Sequence, residues 1–301
     1  MGPGNSIRLG TEACLRLLNQ FSARINTSLE LSDAESVHQL RVSIRRLSQA
    51  LRSFDGCLDA HTAEKLRQRL KKTMRLAGEV RNLDIAMECL HRWKIRDQDK
   101  LLERRAAAAC ELQESLRRWV QRGWIGRCIE RLSRHLDHPE EATREGRARN
   151  LLSSMAADFF LHGRAASAVD STAPEMHAFR IAAKKFRYTM ELFVPDYGPV
   201  LSARVEKVRK VQSILGEVND CETMLGLLTG GRAVSRLRKR QRQMIGEFRQ
   251  LWEAEWADAA VMRMWVDDLG LLSQRKGPQR EPACRRASGP QNNRSLAATA
   301  R

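Results

Sequence analysis

Long apolar runs are missing from this chain, and their absence excludes a whole class of architecture. No segment supplies the ~18 consecutive apolar residues that a membrane-spanning helix requires, and the opening MGPGNSIRLG has no apolar stretch of the kind a secretory leader carries. Cytoplasmic residence, with no membrane partner, is the resulting expectation. The seven cysteines (Cys14, Cys57, Cys89, Cys110, Cys128, Cys221 and Cys284) are odd in number, scattered and never spaced C-x-x-C, which argues against a disulfide framework or a zinc site. Only 8 of 301 residues are proline and 18 are glycine, and alternating β-branched runs are absent, so little in the chain ends helices or builds strands. Aromatic residues make up 5%, and no base-stacking platform is apparent among them. P-loop, G-x-S-x-G and H-E-x-x-H patterns are all missing, so no catalytic residue and no cofactor is assigned. The nearest approach to a metal pair is His135-Leu136-Asp137-His138, whose spacing beside Pro139 fits a helix end, and no metal is assigned to it.

What is present in excess is positive charge. The chain has 53 Lys and Arg against 36 Asp and Glu, a formal net charge of +17, and a pI near 10.3. A charge of this size implies an anionic partner. Arg outnumbers Lys, and the planar guanidinium fork suits phosphate oxygens better than a point-charge ammonium does. Nucleic acid, an anionic membrane surface and polyphosphate all meet that description. Apolar content of 42% beside 30% charged residues is the composition of a folded chain rather than a disordered one.

From about residue 9 to 272 apolar residues recur at helical spacing, which predicts an all-α fold. Two helix starts are marked by S/T-x-x-E boxes, Ser32-Asp33-Ala34-Glu35 and Thr172-Ala173-Pro174-Glu175. The segments that follow match without gaps: VHQLRVSIRRLSQALRSF (37–54) aligns on MHAFRIAAKKFRYTMELF (176–193) at an offset of 139. A second pair, LKKTMRLAGEVRNLD (70–84) and VRKVQSILGEVNDCE (208–222), shares Lys72/Lys210 and Gly-Glu-Val at 78–80 and 216–218. Two matches in one order indicate an internal duplication. The expected organisation is two bundles of about four helices each, spanning residues 1–138 and 139–272, followed by a disordered basic tail at 273–301.

At about 100° per residue, His38, Arg41, Arg45 and Arg52 fall in a sector roughly 60° wide. Val37, Leu40, Ile44, Leu47, Leu51 and Phe54 form an apolar stripe centred about 110° away. In the second copy His177, Arg180 and Lys184 take the same phases, while Glu191 stands where Arg52 would repeat. Basic helix faces are ordinarily solvated surface with i,i+4 partners, but no first-copy stripe residue has Asp or Glu four residues away. A repelling row of cations beside the core is best relieved by a bound anion. The two histidines read either as satisfied core residues or as phosphate contacts. Gly78 and Gly216 read as allowing a close helix approach or a helix end. Asn82, Asp84, Asn219 and Asp220 read as structural, pairing with nearby cations or capping the next helix.

The double H-x-x-R-x-x-x-[RK]-[RK] pattern, followed in each half by a basic run into G-E-V-x-[ND], resembles the CHAD domain, the conserved histidine α-helical domain, over most of residues 9–272. The resemblance implies two pseudo-twofold-related four-helix bundles packed into one unit. It also implies specific, non-enzymatic binding of inorganic polyphosphate at a basic surface around the histidines, with some members found at polyphosphate granules. Carried onto this sequence, the histidines are His38 and His177, and the basic positions are Arg41, Arg45, Arg46, Arg180, Lys184 and Lys185. The basic runs map to Lys71, Lys72, Arg75, Arg209 and Lys210, and Arg52 and Arg187 on the two repeated helices complete the candidate set. The chain departs from the pattern at Ala77, where Leu is usual, at Asn82, where Asp is usual, and at Ser48, where a basic residue is common. First-half affinity is therefore expected to differ. No E-x-E-x-K run precedes the first repeat, so a module without the triphosphate-tunnel partner of many relatives is expected. The alternative is a helical protein that associates weakly and nonspecifically with nucleic acid at low salt through counterion release.

Overall fold

The computed structural model describes residues 3–54, 58–92, 99–137, 145–228 and 231–272. In order these form α1 (Pro3–Glu30), α2 (Ala34–Ser53), α3 (Ala60–Arg92), α4 (Asp99–Gln121), α5 (Trp124–Asp137), α6 (Glu145–Ser167), α7 (Ala173–Tyr197), α8 (Pro199–Leu227), α9 (Gly231–Glu255) and α10 (Ala259–Leu272). The fold is all-α, with no strand among the described residues. The expected boundary at 138/139, His138 of the paired-histidine run, Cys57, Cys284 and the tail from 273 lie outside the described residues.

Capping chemistry fixes where the two repeated helices begin. At α7 the reciprocal box forms as expected: the Thr172 hydroxyl accepts from the Glu175 N–H at 3.4 Å and the Glu175 carboxylate accepts from the Thr172 N–H at 2.7 Å. At α2 the cap lies one residue later than expected. Asp33 accepts the Ser36 N–H at 2.7 Å, while Ser32 sits outside the helix with φ of 50°. A short carboxylate both satisfies an orphan donor and faces the positive end of the helix dipole, which gives Asp33 the advantage over Ser32.

The core divides into three clusters. The first is largely aliphatic and is drawn from α1 to α5, with Leu18, Ile25, Leu40, Ile44, Leu47 and Leu66 fully enclosed. The second is drawn from α6 to α10 and is aromatic at its centre: Phe159, Phe160, Phe179, Phe186, Phe248, Trp252, Trp256 and Trp265 pack ring against ring. Each of these clusters is built on five consecutive helices, the first also taking in Leu192 of α7, where about four were expected. The additions are the short α5, packed on α1, and α10, packed on α6. The third cluster joins α3 and α4 to α8 and α9 through Leu83, Leu90, Leu101, Met224 and Leu237.

The repeated helices α2 and α7 meet side by side, running the same way and almost in register. Gln49 Nε2 donates to Thr189 Oγ1 at 2.9 Å in a buried bond. At the far end Phe54 and Phe193, aligned positions of the two repeats, meet edge to face at 5.7 Å. Such an aromatic pair contributes about 0.5–1.5 kcal/mol beyond the area it buries. α3 packs antiparallel against α2, with Arg67 Nη2 donating to the Leu51 carbonyl at 3.0 Å. α8 packs against α7 in the same sense, Arg187 Nε donating to Gln212 Oε1 at 2.5 Å.

The aromatic core is tightest where α6 passes α9. A Cβ added at Gly163 would come within 1.9 Å of the buried Trp252 indole. Gly163→Ala is expected to cost about 1–3 kcal/mol through overpacking, read as a lower urea midpoint. Combined with Trp252→Phe the loss is expected to fall short of the sum of the two single losses. Strict additivity would contradict the contact.

Candidate functional site

Because α2 and α7 lie in register, their basic stripes face a shared space rather than opposite sides of the molecule. Arg41 and Arg45 from α2 meet Arg180 and Lys184 from α7. Arg81 on α3 and Asp220 on α8 complete the group. None of the four stripe cations makes an ion pair or hydrogen bond among the described residues, and the Arg180 Nε is buried without a partner. Four arginines and the Lys184 amine therefore share this space, with the Asp220 carboxylate among them and the Glu222 carboxylate also acting on Arg180.

The electrostatic consequences follow from burial first and mutual repulsion second. Burial, reinforced by Arg45 and Arg180, lowers Arg41 from its ordinary value of 12.5 to about 10. Arg180 is lowered by burial and then by Arg45. Lys184 is affected most: burial, with Arg45, Arg180 and Arg41 beside it, brings its ammonium from 10.5 to about 6. Burial pushes the Asp220 carboxyl up, against the pull of Arg180 and Lys184. His38, half-buried on α2, is lowered by burial and by the neighbouring Arg81. The cluster is thus a place where positive charge is held against its own preference, which a bound polyanion relieves.

Gly78 is explained by this geometry. It lies inside α3, not at a helix end, and a Cβ there would sit 2.8 Å from Arg41 Nη1. Its missing side chain lets the guanidinium lie on the α3 backbone. Gly216 also lies inside its helix, α8, but nothing approaches within 4 Å of the equivalent Cβ.

The remaining candidate residues separate into groups. His177, Lys71, Lys72, Arg75 and Arg52 are exposed, and Lys185 lies beside a separate cavity with Asp158 and His162. Arg46, Arg187 and Arg209 converge instead on Glu191: Arg46 Nε lies 3.2 Å from its carboxylate, Arg209 Nη2 3.8 Å, and Arg187 bonds to it directly. Arg187 is further held by Gln212 and stacks over Tyr188. Lys210 faces Glu255 at 3.8 Å. These partners come from other helices or from farther along the same one. Asp84 is structural as expected, its carboxylate accepting from Arg105 Nε at 3.0 Å, and Asn219 bonds within α8 to Thr223. Asp220, expected to pair with nearby cations, lies among those of the cluster, close to Arg180, Lys184 and Arg81. Arg81 is a cluster member that the candidate set omits. Its place just after Gly-Glu-Val, one turn from Gly78, was the available clue.

A model of the CHAD domain matches residues 12–229. No curated protein matches this chain. The solved structures that share the fold include two of different origin. One is the CHAD domain from the plant Ricinus communis, 19% identical, with 89% of this chain and 92% of that one covered at a TM-score of 0.56. The other is PptA from Streptomyces chartreusis, 16% identical, with 89% of this chain and 99% of that one covered at a TM-score of 0.52. At these identities the likeness concerns the fold alone.

The Lys184 amine gives the ligand-free protein a distinctive pH dependence. Unfolded, it keeps its proton up to about pH 10.5; folded, it releases it near pH 6. Between those values the unfolded chain binds more protons, so this group makes stability rise with pH and adds no slope below about 6. Lys184→Met is expected to remove that rise, measured as urea midpoints across the window. Parallel curves for variant and parent would refute the assignment.

Proposed function

The chain belongs to the CHAD domain family, and on that premise we propose that it binds inorganic polyphosphate, without chemistry of its own, at the unneutralised cations between α2 and α7. The observation that carries this reading is the cluster of Arg41, Arg45, Arg180 and Lys184, half-buried and without ion pairs among the described residues. Guanidinium forks that have no carboxylate to satisfy them are the donors a chain of phosphates requires. The aromatic residues of the repeats support a ligand without bases: Phe179 and Phe186 are fully enclosed, and Phe54 packs on Phe193. Among the described residues of the repeats, no ring near the cluster is presented for stacking on a nucleobase. His38 adds a further donor at the end of the cluster, and exposed Lys71, Lys72 and Arg75 on α3 extend the field that draws the anion in.

The in-register meeting of α2 and α7 supports reading them as two copies of one ancestral helix, whose pairing assembles a site from equivalent halves. A protein of this kind would be carried to polyphosphate granules by its ligand.

Two outcomes are expected. Wild-type protein should bind long-chain polyphosphate at physiological salt at least about tenfold more tightly than single- or double-stranded nucleic acid of matched charge, a difference of about 1.4 kcal/mol. Equal affinity in a competition titration would overturn the reading. Arg41→Gln with Arg180→Gln should lower polyphosphate affinity by at least about tenfold, because each lost charge-assisted bond is worth about 1.5–3 kcal/mol. The same variant should unfold at an equal or higher urea concentration, since two repelling half-buried cations are gone. Loss of stability together with affinity would mark these arginines as structural instead.

Binding should also draw a proton onto Lys184, because phosphate oxygens beside the amine favour its charged form. The heat of polyphosphate binding near neutral pH is therefore expected to vary with the ionisation enthalpy of the buffer, and to lose that dependence in Lys184→Met.

A further inference from the structure

The cation cluster is unequal at its two ends. Toward the C-terminal ends of α2 and α7 the row of arginines continues as Arg46, Arg187 and Arg209, but these have carboxylate partners: Glu191 pairs with Arg46 and Arg187 and lies 3.8 Å from Arg209, which Glu206 holds at 2.8 Å. The Glu191 carboxylate is itself mostly buried, with 15% of its side chain exposed. The cations at that end are met by internal carboxylates, although a cavity of about 350 Å³ lies beside them between Arg16, Arg46, Glu191 and Arg209.

At the other end it opens. Arg81 and Asp220, both within the cluster, also line a groove of about 620 Å³ between α3, α8 and α9. α3 and α8 each run from the cluster into this groove, so the two spaces share a wall. The floor of the groove is apolar, with Ile85, Met224 and Leu237, and its rim carries charge. Arg92 is held by Glu88 at 3.0 Å and Arg240 by Glu217. Arg236 and Lys239 on α9 line the same groove, are exposed, and have no ion pair among the described residues. The start of α9 bears Arg232, Arg236, Arg238, Lys239, Arg240 and Arg242 with no acidic residue before Glu247. The first half has no match for it: α4 interleaves its cations with Glu103, Glu111 and Glu114.

We propose that the α3–α8–α9 groove is a second phosphate subsite, reached from the central cluster past Arg81, that receives the continuing chain of a long linear polyphosphate through Arg236 and Lys239. This rests on the polyphosphate reading above and adds chain-length dependence and a direction to it. The chain end lies toward Glu191, and the rest of the polymer leaves across α9. A short oligomer fills the central cluster alone, whereas a long chain gains the contacts of the groove as well. The gain is that of a second site joined to the first by the ligand's own backbone.

The test uses the full chain and two probes, tripolyphosphate and long-chain polyphosphate, with two variants of equal net charge. Arg236→Gln with Lys239→Gln removes the groove cations. Arg238→Gln with Arg242→Gln removes two exposed cations of the same helix that do not line the groove. The groove variant is expected to lose at least about fivefold in affinity for the long chain and to keep its affinity for tripolyphosphate, and the control variant to keep both. Unchanged long-chain affinity in the groove variant overturns the proposal. So does an equal loss in both variants, which would show a general field effect instead of a subsite. If wild-type protein binds neither probe, the failure belongs to the polyphosphate reading itself.

Discussion

Repulsion among Arg41, Arg45 and Arg180, which together with burial brings the pKa of the Lys184 ammonium beside them down to about 6, is the interaction around which the rest of this structure is arranged. Isolated charges leave water only at a cost of several kcal/mol each, and here they are drawn partly out of it together, with the Asp220 carboxylate among them and Glu222 acting on Arg180 for relief. Such an arrangement persists only if the surrounding packing is strong enough to hold it. The two large core clusters on either side, one aliphatic and one aromatic, supply that packing. The buried Gln49–Thr189 bond and the Phe54–Phe193 contact pin the helices that carry the charges.

The Glu191 group shows the contrasting solution within the same helix pair. Arg46 and Arg187 come from the same two helices and the same basic pattern, yet the mostly buried Glu191 carboxylate pairs with both, and Glu206 with the neighbouring Arg209. The pair is thus divided into a segment that stabilises the junction and a segment left unsatisfied. A protein under selection for stability alone would extend the first kind along the whole junction. The unsatisfied segment is the part that a ligand completes, and the stability withheld there is returned when the ligand binds.

How far the sequence disclosed this depends on which forces act within one helix and which act between helices. The all-α class and the stripe beside the core were readable because both follow from phase along a single helix, and Val37, Leu40, Ile44, Leu47 and Leu51 are all buried as phase predicts. The Thr172 box was readable for the same reason. The α2 start was misplaced by one residue because Ser32 and Asp33 are both good caps and only geometry chooses between them. Partners from elsewhere were not readable: the absence of acidic residues at i±4 holds for Arg41 and Arg45, but it says nothing of Glu191 reaching Arg46 or Glu255 reaching Lys210. A repeat shows that two helices are equivalent; it does not show that they touch. Their contact is what brings Arg41 to Arg180, and the antiparallel return of α3 and α8 is what adds Arg81 and Asp220.

The bare backbone at Gly78 gives this molecule an unusual kind of fragility. The guanidinium of Arg41 rests where any side chain at 78 would project, so a single methyl group could evict it while every charge, every core contact and the helix itself stayed in place. A relative that had drifted by that one carbon would keep the same isoelectric point and the same motif of histidine and arginines, and would look fully competent on paper. Within this fold, inherited competence is recorded as much in an empty position as in the cations that are usually counted.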